Sequence, residues 1–330
     1  MTQLIDPIFL SEDNFKQAFS DGLEQMLEHD ELGTVILVAA NAVNEAEIWE
    51  RLKPKISRKI EQLKAQTLIG ADDDMAVFEQ LLELNFETLQ VAKTKTLGMF
   101  ELQYNPLRAL RPKRMSANAT QGMCQDFDAQ GFHFNKAFLQ KELLFKGKLF
   151  SKQISLFYNK FPFVSWHGLV VVEAKKQHPQ CLDYGLHQFA WMMANAIGLN
   201  IKGFTLAYNS YGAYASVNHF HLQCFIRNQP LPIENQEKYP LIHHWFGSVS
   251  DAWGFIETLH VDEQPYHLIY RGNKILVIIR QRQDQITHAD WTPGYAWYEA
   301  CGGVCTGSNE DFNQLDEASL QAELEKLKVD

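Results

Sequence analysis

Sulfur is scarce and scattered in this chain. Its five cysteines (Cys124, Cys181, Cys224, Cys301 and Cys305) are odd in number and form no CxxC pair. Such spacing suggests neither a disulfide framework nor a compact zinc site, so the thiols are expected to be reduced and mostly buried. Positive charge is also in deficit: 30 Lys and Arg stand against 40 Asp and Glu, a formal net charge of -10. An acidic protein repels polyphosphate backbones as a whole, which argues against a nucleic-acid-coating function. Any phosphate ligand should be small and held by local positive charge. No apolar run approaches the roughly 18 to 20 residues that span a bilayer, so no membrane association is expected. The opening MTQLIDPIFLSEDNF carries acids where a signal peptide would carry lysines, and a cytoplasmic location is the expectation.

What the chain has is hydrophobic mass, 46% of 330 residues, enough for one large unit or two fused smaller ones. Residues 11–30 set Phe15, Phe19, Leu23 and Met26 three to four apart behind Ser11, with Asp13 close by, which predicts a capped amphipathic helix. Two further helical stretches are expected at about 44–69 and 74–94. Up to residue 97 the chain is helical, acidic and free of chemical motifs, a packing or dimerisation layer with no catalytic role.

After Asn105-Pro106 the texture changes to short β-type segments at 143–149, 154–158, 168–173, 204–208 and 217–226, with one helix at 182–197. Farther on, YHLIY and KILVIIR flank Gly272-Asn273 as a hairpin, and Trp291–Tyr298 leads into a Gly-rich strand at 301–305. The expected division is an N-terminal helical region over 1–97, a working half over 98–235 and a smaller α/β half over 236–330.

The informative segment runs from Tyr208 to Ile226, YNSYGAYASVNHFHLQCFI. On a strand, His219, His221 and Gln223 share one face while Phe220, Leu222 and Cys224 share the other. Burying three such polar groups costs roughly 1–3 kcal/mol each unless each is partnered. A lone strand histidine is commonly a satisfied core residue, and two at i and i+2 can ligate a metal. Here the third member is glutamine, a poor ligand, and no acid or cysteine nearby completes a set. Upstream, Asn209, Ser210, Gly212 and Ser216 are small hydrogen-bonding residues suited to cradling a phosphate, which points to a phosphate-handling nucleophile.

This H-x-H-x-Q strand resembles the transferase branch of the histidine-triad superfamily, which includes galactose-1-phosphate uridylyltransferase and diadenosine tetraphosphate phosphorylase. The string YNSYGAYASVNHFHLQ, with Pro232-Ile233-Glu234 after it, is similar to the corresponding segment of GDP-L-galactose and GDP-D-glucose phosphorylases. Arg111-Pro112, FHFNK (132–136), KELLF (141–145) and Pro162-x4-His167 resemble earlier elements of that family. PYHLIY and Trp297-Tyr298-Glu299 resemble its second half. The chain departs from the family at Trp166-His167-Gly168, where Gly-His is usual, and no counterpart is placed before residue 75. The CxxC zinc pair of bacterial-type uridylyltransferases is absent, so no structural zinc is expected.

The resemblance implies an α+β fold: a largely antiparallel twisted sheet with packed helices, a second histidine-triad-like half and an N-terminal helical extension. It assigns the nucleophile to His221, which would take a nucleoside monophosphate from a nucleoside-diphosphate sugar, guanine favoured, and pass it to phosphate. His219 would orient the strand, while Gln223, Asn209 and Ser210 stabilise developing negative charge and Asn218 sits beside them. Glutamine cannot shuttle protons, which favours a phosphate acceptor over water. His167 is a candidate by its spacing. Arg108, Arg111, Lys113 and Arg114 form the densest basic cluster, from which Arg111, with Lys136, is taken as a candidate diphosphate ligand. No cofactor is implied, and homodimers are common in the superfamily. A dinucleoside polyphosphate phosphorylase and a silent nucleotide sensor are the rival readings.

Overall fold

A computed structural model describes residues 6–65, 72–112, 122–292 and 294–329. Four helices come first: α1 Glu12–Met26, α2 Leu32–Asn44, α3 Ala46–Lys64 and α4 Asp72–Glu83. α1 starts where expected, with Ser11 Oγ accepting the Asn14 N–H at 3.1 Å. α2 is not foreshadowed by periodicity. Eleven of its thirteen residues are buried, so it has no polar face to generate a 3.6-residue alternation. The stretch expected to be helical to residue 94 stops sooner: α4 gives way to a 3₁₀ turn at Phe86–Thr88 and then to strand β1, Lys93–Leu97.

β1 pairs antiparallel with β2 (Phe100–Tyr104) and β2 runs parallel to β11 (Gly303–Thr306), making a small three-stranded sheet. Between them, α5 (Pro106–Ala109) is capped by Asn105. The main sheet contains β3 (Leu143–Leu149), β4 (Lys152–Tyr158), β5 (Gly168–Val172), β6 (Phe204–Asn209) and β7 (His221–Ile226). It continues with β8 (His243–Phe246), β9 (Tyr266–Arg271) and β10 (Lys274–Ile279). The order is β3-β4-β5-β7-β6-β9-β10-β8, antiparallel throughout.

Helices α6 (Tyr184–Gly198) and α7 (Val249–Val261) expose a repeat. The run β5-α6-β6-β7 recurs as β8-α7-β9-β10, and the sheet order reads alike outward from the β6-β9 seam. The fold is therefore α+β with a second half, as expected, and both halves contribute to one sheet.

Strand alternation sorts the core onto two faces. Leu206, Leu222, Cys224, Tyr270 and Val277 pack with the residues of α1, α2 and α6. On the opposite face, Ala207, Phe225, Ile269 and Leu276 meet Trp297 and Tyr298 of α8 (Trp297–Ala300), together with Val304 of the small sheet. α9 (Asn309–Gln314) and α10 (Glu317–Glu325) close the chain, and Leu320 and Leu324 join this second cluster. Arg227 ties the two sheets, donating to both carboxylate oxygens of Glu101 at 3.1 and 2.7 Å.

Gly168 shows how tightly β5 is seated. A Cβ there would lie 2.7 Å from Leu156 Cδ1, 3.0 Å from Cys224 Sγ and 3.2 Å from the Phe157 carbonyl oxygen. Overpacking at such a point costs about 1–3 kcal/mol. Gly168→Ala should lower the urea midpoint accordingly, and an unchanged midpoint would contradict this packing.

Candidate active site

The candidate nucleophile owes its chemistry to one backbone carbonyl. His221 Nδ1 lies 2.9 Å from the carbonyl oxygen of His219, an acceptor only, so Nδ1 carries the proton and Nε2 keeps its lone pair. The side chain is only 6% exposed, and burial holds its pKa down at about 4, so the ring is neutral at pH 7. His219 is fixed in the opposite tautomer. Its Nδ1 accepts the Phe134 N–H at 3.1 Å and its Nε2 donates to the Ala174 carbonyl at 3.1 Å. Both of its nitrogens are used, which leaves it no lone pair for attack. Burial, followed by the neighbouring His221, also lowers the His219 pKa to about 4. Phe134 packs against both rings.

β7 begins at His221, four residues later than the expected strand. The residues before it are bonded elsewhere: the Phe220 N–H goes to the His178 carbonyl. Gln180 then clamps the start of the strand. Its Oε1 accepts the His221 N–H at 2.8 Å, and its Nε2 donates to the carbonyls of Asn209 and His221 at 3.0 and 3.1 Å. Asn218 Oδ1 accepts the Gln180 N–H, while its Nδ2 donates to the Gln125 and Asp126 carbonyls. Asn218 thus fastens two loops rather than facing a ligand.

Gln223 is oriented from behind. Its Oε1 accepts from His167 Nε2 at 2.9 Å and from Trp297 Nε1 at 2.8 Å, so both lone pairs are used and the amide NH₂ points away from them. His167 is buried beyond reach of solvent and held neutral, its pKa lowered to about 3 by burial. Its place in the structure is behind Gln223.

Asn209 stands beside His221, since Ala207 pairs with Gln223 two residues away. Its Oδ1 accepts from His267 Nδ1 at 2.7 Å and from the Trp297 N–H at 3.1 Å. Ser210, just past β6, accepts the Tyr266 N–H on its Oγ at 2.9 Å, which leaves its O–H as a donor. Gly212 takes φ +90°, and its carbonyl receives the Gln283 N–H. Ser216 and Lys136 are half-buried. Arg111 is half-buried too, and burial with the adjacent Arg108 charge lowers its pKa to about 9. Lys113 and Arg114 lie outside the described residues.

Sequence reasoning missed Gln180 and Arg280, which carry no motif of their own, and singled out neither Phe134 within FHFNK nor His267 within PYHLIY. Of the cysteines, Cys224, Cys301 and Cys305 are free and buried as expected, and the other two are not. Cys124 and Cys181 are joined in a disulfide, with Cα atoms 5.0 Å apart, correcting the expectation of reduced thiols. They are 57 residues apart in sequence, and the Asn218 bonds that draw their loops together leave no mark in cysteine spacing. His260 lies close to the pair, the one such grouping of ligating side chains among the described residues.

Residues 81–225 match the family described as GDPGP1-like, N-terminal domain. Human GDP-D-glucose phosphorylase 1 is 33% identical over 201 residues, 58% of this chain and 51% of that protein. The zebrafish (Danio rerio) protein of the same name is 38% identical over 112 residues, 34% of this chain and 32% of that protein. GDP-L-galactose phosphorylase 1 of Arabidopsis thaliana is 31% identical over 151 residues, 41% of this chain and 33% of that protein. The matches thus span about half or less of these relatives. The crystal structure of yeast Ap4A phosphorylase Apa2 in complex with Ap4A superposes with a TM-score of 0.50 at 14% identity, covering 80% of this chain and 100% of that one. At that identity the likeness concerns the fold. Among the described residues, no helix is long and apolar enough to cross a membrane.

The depressed histidine pKa values make stability depend on pH. A histidine held at about 4 in the folded state titrates near 6.5 when unfolded, so between these values the unfolded chain binds the extra proton. Stability is then fully present above about pH 6.5 and is lost as pH falls toward 4. From pH 7 to pH 5, His221 alone should cost about 2 kcal/mol. Denaturant titrations at both pH values should show a smaller loss for His221→Gln, and an identical loss would contradict the buried neutral ring.

Proposed function

We propose, from the premise that this chain carries a GDPGP1-like domain within a histidine-triad fold, that it is a nucleotidyltransferase cleaving a nucleoside-diphosphate hexose with phosphate. A GDP-hexose is the favoured donor, in keeping with the names of the relatives. The observation that carries the proposal is the bare Nε2 of His221, freed by the bond from Nδ1–H to the His219 carbonyl. Nε2 attacks the α-phosphorus, the bond to the β-phosphate oxygen breaks, and hexose 1-phosphate leaves with the electron pair. A phosphate oxygen then attacks the nucleotidyl-histidine, the phosphorus–nitrogen bond breaks, and the nucleoside diphosphate departs. The Gln223 amide NH₂, with both Oε1 lone pairs occupied, donates to a non-bridging oxygen as charge develops. The enzyme is taken to work in the cytoplasm.

The covalent step gives the decisive experiment. Without phosphate, GDP-glucose should release about one equivalent of glucose 1-phosphate per site and then stall, as ping-pong chemistry requires. The stalled protein should gain the mass of one nucleoside monophosphate, which phosphate discharges as the diphosphate. His221→Asn should abolish both events. Failure of a panel of GDP-, UDP- and ADP-sugars and diadenosine tetraphosphate to give burst or adduct would overturn the proposal.

The third motif position yields a second test. Gln223→His restores a proton-carrying side chain and should raise hydrolysis relative to phosphorolysis. An unchanged ratio of the two products would remove the assigned role of Gln223.

A further inference from the structure

The face of the sheet that bears His221 holds a second group of polar side chains that the nucleophile does not use. Buried atoms of five of them have no hydrogen-bond partner among the described residues: Arg108 Nε, His267 Nε2, Arg280 Nη2, Tyr295 Oη and Glu299 Oε1. Native structures carry only on the order of a few such orphans per 100 residues and each calls for an explanation, here a shared one because charges among the five act on one another. Arg280 and Glu299 feel one another, Arg108 and Arg111 both act on Glu299, and the Arg280 charge acts on His267.

Strand register locates two of these groups. Asn209 lies beside His221 on β7 and is the direct partner of His267 on β9. With neighbouring strands about 4.8 Å apart, His267 stands about 10 Å across the sheet from His221. Arg280 follows the end of β10, two residues past Ile278, which pairs with His267. Its side chain is fully buried. Nε donates to the Gln281 carbonyl at 2.8 Å, Nη1 donates to the Tyr295 carbonyl, and the guanidinium lies over the Tyr214 ring. Nη2 is left over.

The unused groups define a ligand. Arg280, Arg108 and the half-buried Arg111 bring three positive charges toward Glu299, whose pKa burial raises, and Glu323, which Lys326 already pairs at 2.6 Å. Such an excess is costly to bury unless an anion joins it. His267 adds a requirement of the opposite kind. Its Nδ1–H is spent on Asn209, so Nε2 is a bare lone pair seeking a donor. A ligand with several anionic oxygens and one hydroxyl meets both demands, and hydrogen phosphate is that ligand.

We infer that Arg280, with Arg108, Arg111 and His267, forms the site for the acceptor phosphate, which is also the place of the donor's β-phosphate before hexose 1-phosphate leaves. This rests on the phosphorylase reading for its role in turnover, while the anion site itself stands on the unpartnered atoms. In the second half-reaction a bound phosphate oxygen attacks the nucleotidyl phosphorus, and the electron pair of the breaking phosphorus–nitrogen bond returns to His221 Nε2. The phosphate hydroxyl donates to His267 Nε2.

The test uses the full chain and orthophosphate. In protein labelled with ¹⁵N-histidine, phosphate should shift one imidazole Nε2 resonance saturably, and that resonance should be missing from His267→Gln. Arg280→Gln should weaken phosphate binding and raise the phosphate KM about tenfold or more, with Arg280→Lys intermediate, because a charged hydrogen bond is lost. Should Arg280→Gln fail to fold, the half-buried Arg111→Gln and the wild-type resonance carry the same test. An unmoved His267 resonance, or phosphate binding indifferent to Arg280 and Arg111, overturns the inference even where the nucleotidyl adduct forms. Saturable phosphate binding that depends on Arg280, in a protein that yields no adduct, upholds the anion site and removes the phosphorylase reading.

Discussion

One proton decides what the histidine strand can do. The His219 carbonyl takes the Nδ1–H of His221, which fixes the tautomer and presents Nε2 as a lone pair. For that carbonyl to face the ring, the backbone must leave regular pairing just before His221. The local structure is organised around this departure. The Phe220 N–H turns to His178, Gln180 takes over the backbone groups at the head of the strand, and Asn218 binds loops on either side. The two histidines therefore differ in kind: one is a fastener with both nitrogens bonded, the other has a nitrogen to spare. Neither identity nor spacing within H-x-H distinguishes them. The direction of a carbonyl does.

Burial reinforces the same constraint. A nucleophilic imidazole must be unprotonated, and removing it from water penalises the imidazolium, so His221 is held neutral without a nearby base. A neighbouring acid would have the opposite effect. His167 is neutral for the same reason, and as a donor it fixes the face that Gln223 presents. The cost is that His167, Gln223 and Trp297 must interlock, because a buried amide with an unmade bond loses about 1–3 kcal/mol. This explains why the Trp297 indole, on an element far along the chain, stacks on Phe225 at 4.6 Å while its N–H reaches Gln223.

How much of this was legible in sequence follows from what sequence encodes locally. His219, His221 and Gln223 were singled out because alternation on a strand is a local pattern, and α1 was found because its face is amphipathic. α2 was invisible, being buried nearly all round. Gln180 and Phe134 reach His221 and His219 from 41 and 85 residues away, contacts that neither a local pattern nor the FHFNK string containing Phe134 announces. Arg280 closes the string KILVIIR, read only as a hairpin strand, yet its side chain lies fully buried. Ser210 and Asn218 were taken as candidates because small polar residues near a nucleophile suit a phosphate, and sequence did not show the protein bonds they also make. Those bonds tie the end of β6 to β9 and one loop to another. The disulfide belongs with these, being set by the meeting of two loops.

The repeated β-α-β-β unit gives these long-range contacts a common origin. Each unit offers a sheet edge, and two edges left open would invite further pairing. Joining them at the β6-β9 seam closes both and brings the second unit onto the face that bears His221. The bond from His267 to Asn209 crosses that seam, and the same Asn209 oxygen accepts from the backbone of Trp297. Asn209 is thereby held by both halves while standing next to His221. The H-x-H-x-Q pattern occurs in the first unit, whereas the second supplies a buried histidine and arginine in positions where a hydrophobic hairpin would suffice for folding. Polar side chains in such positions must be compensated one by one. Their concentration on one face of one shared sheet is what makes the two halves a single site.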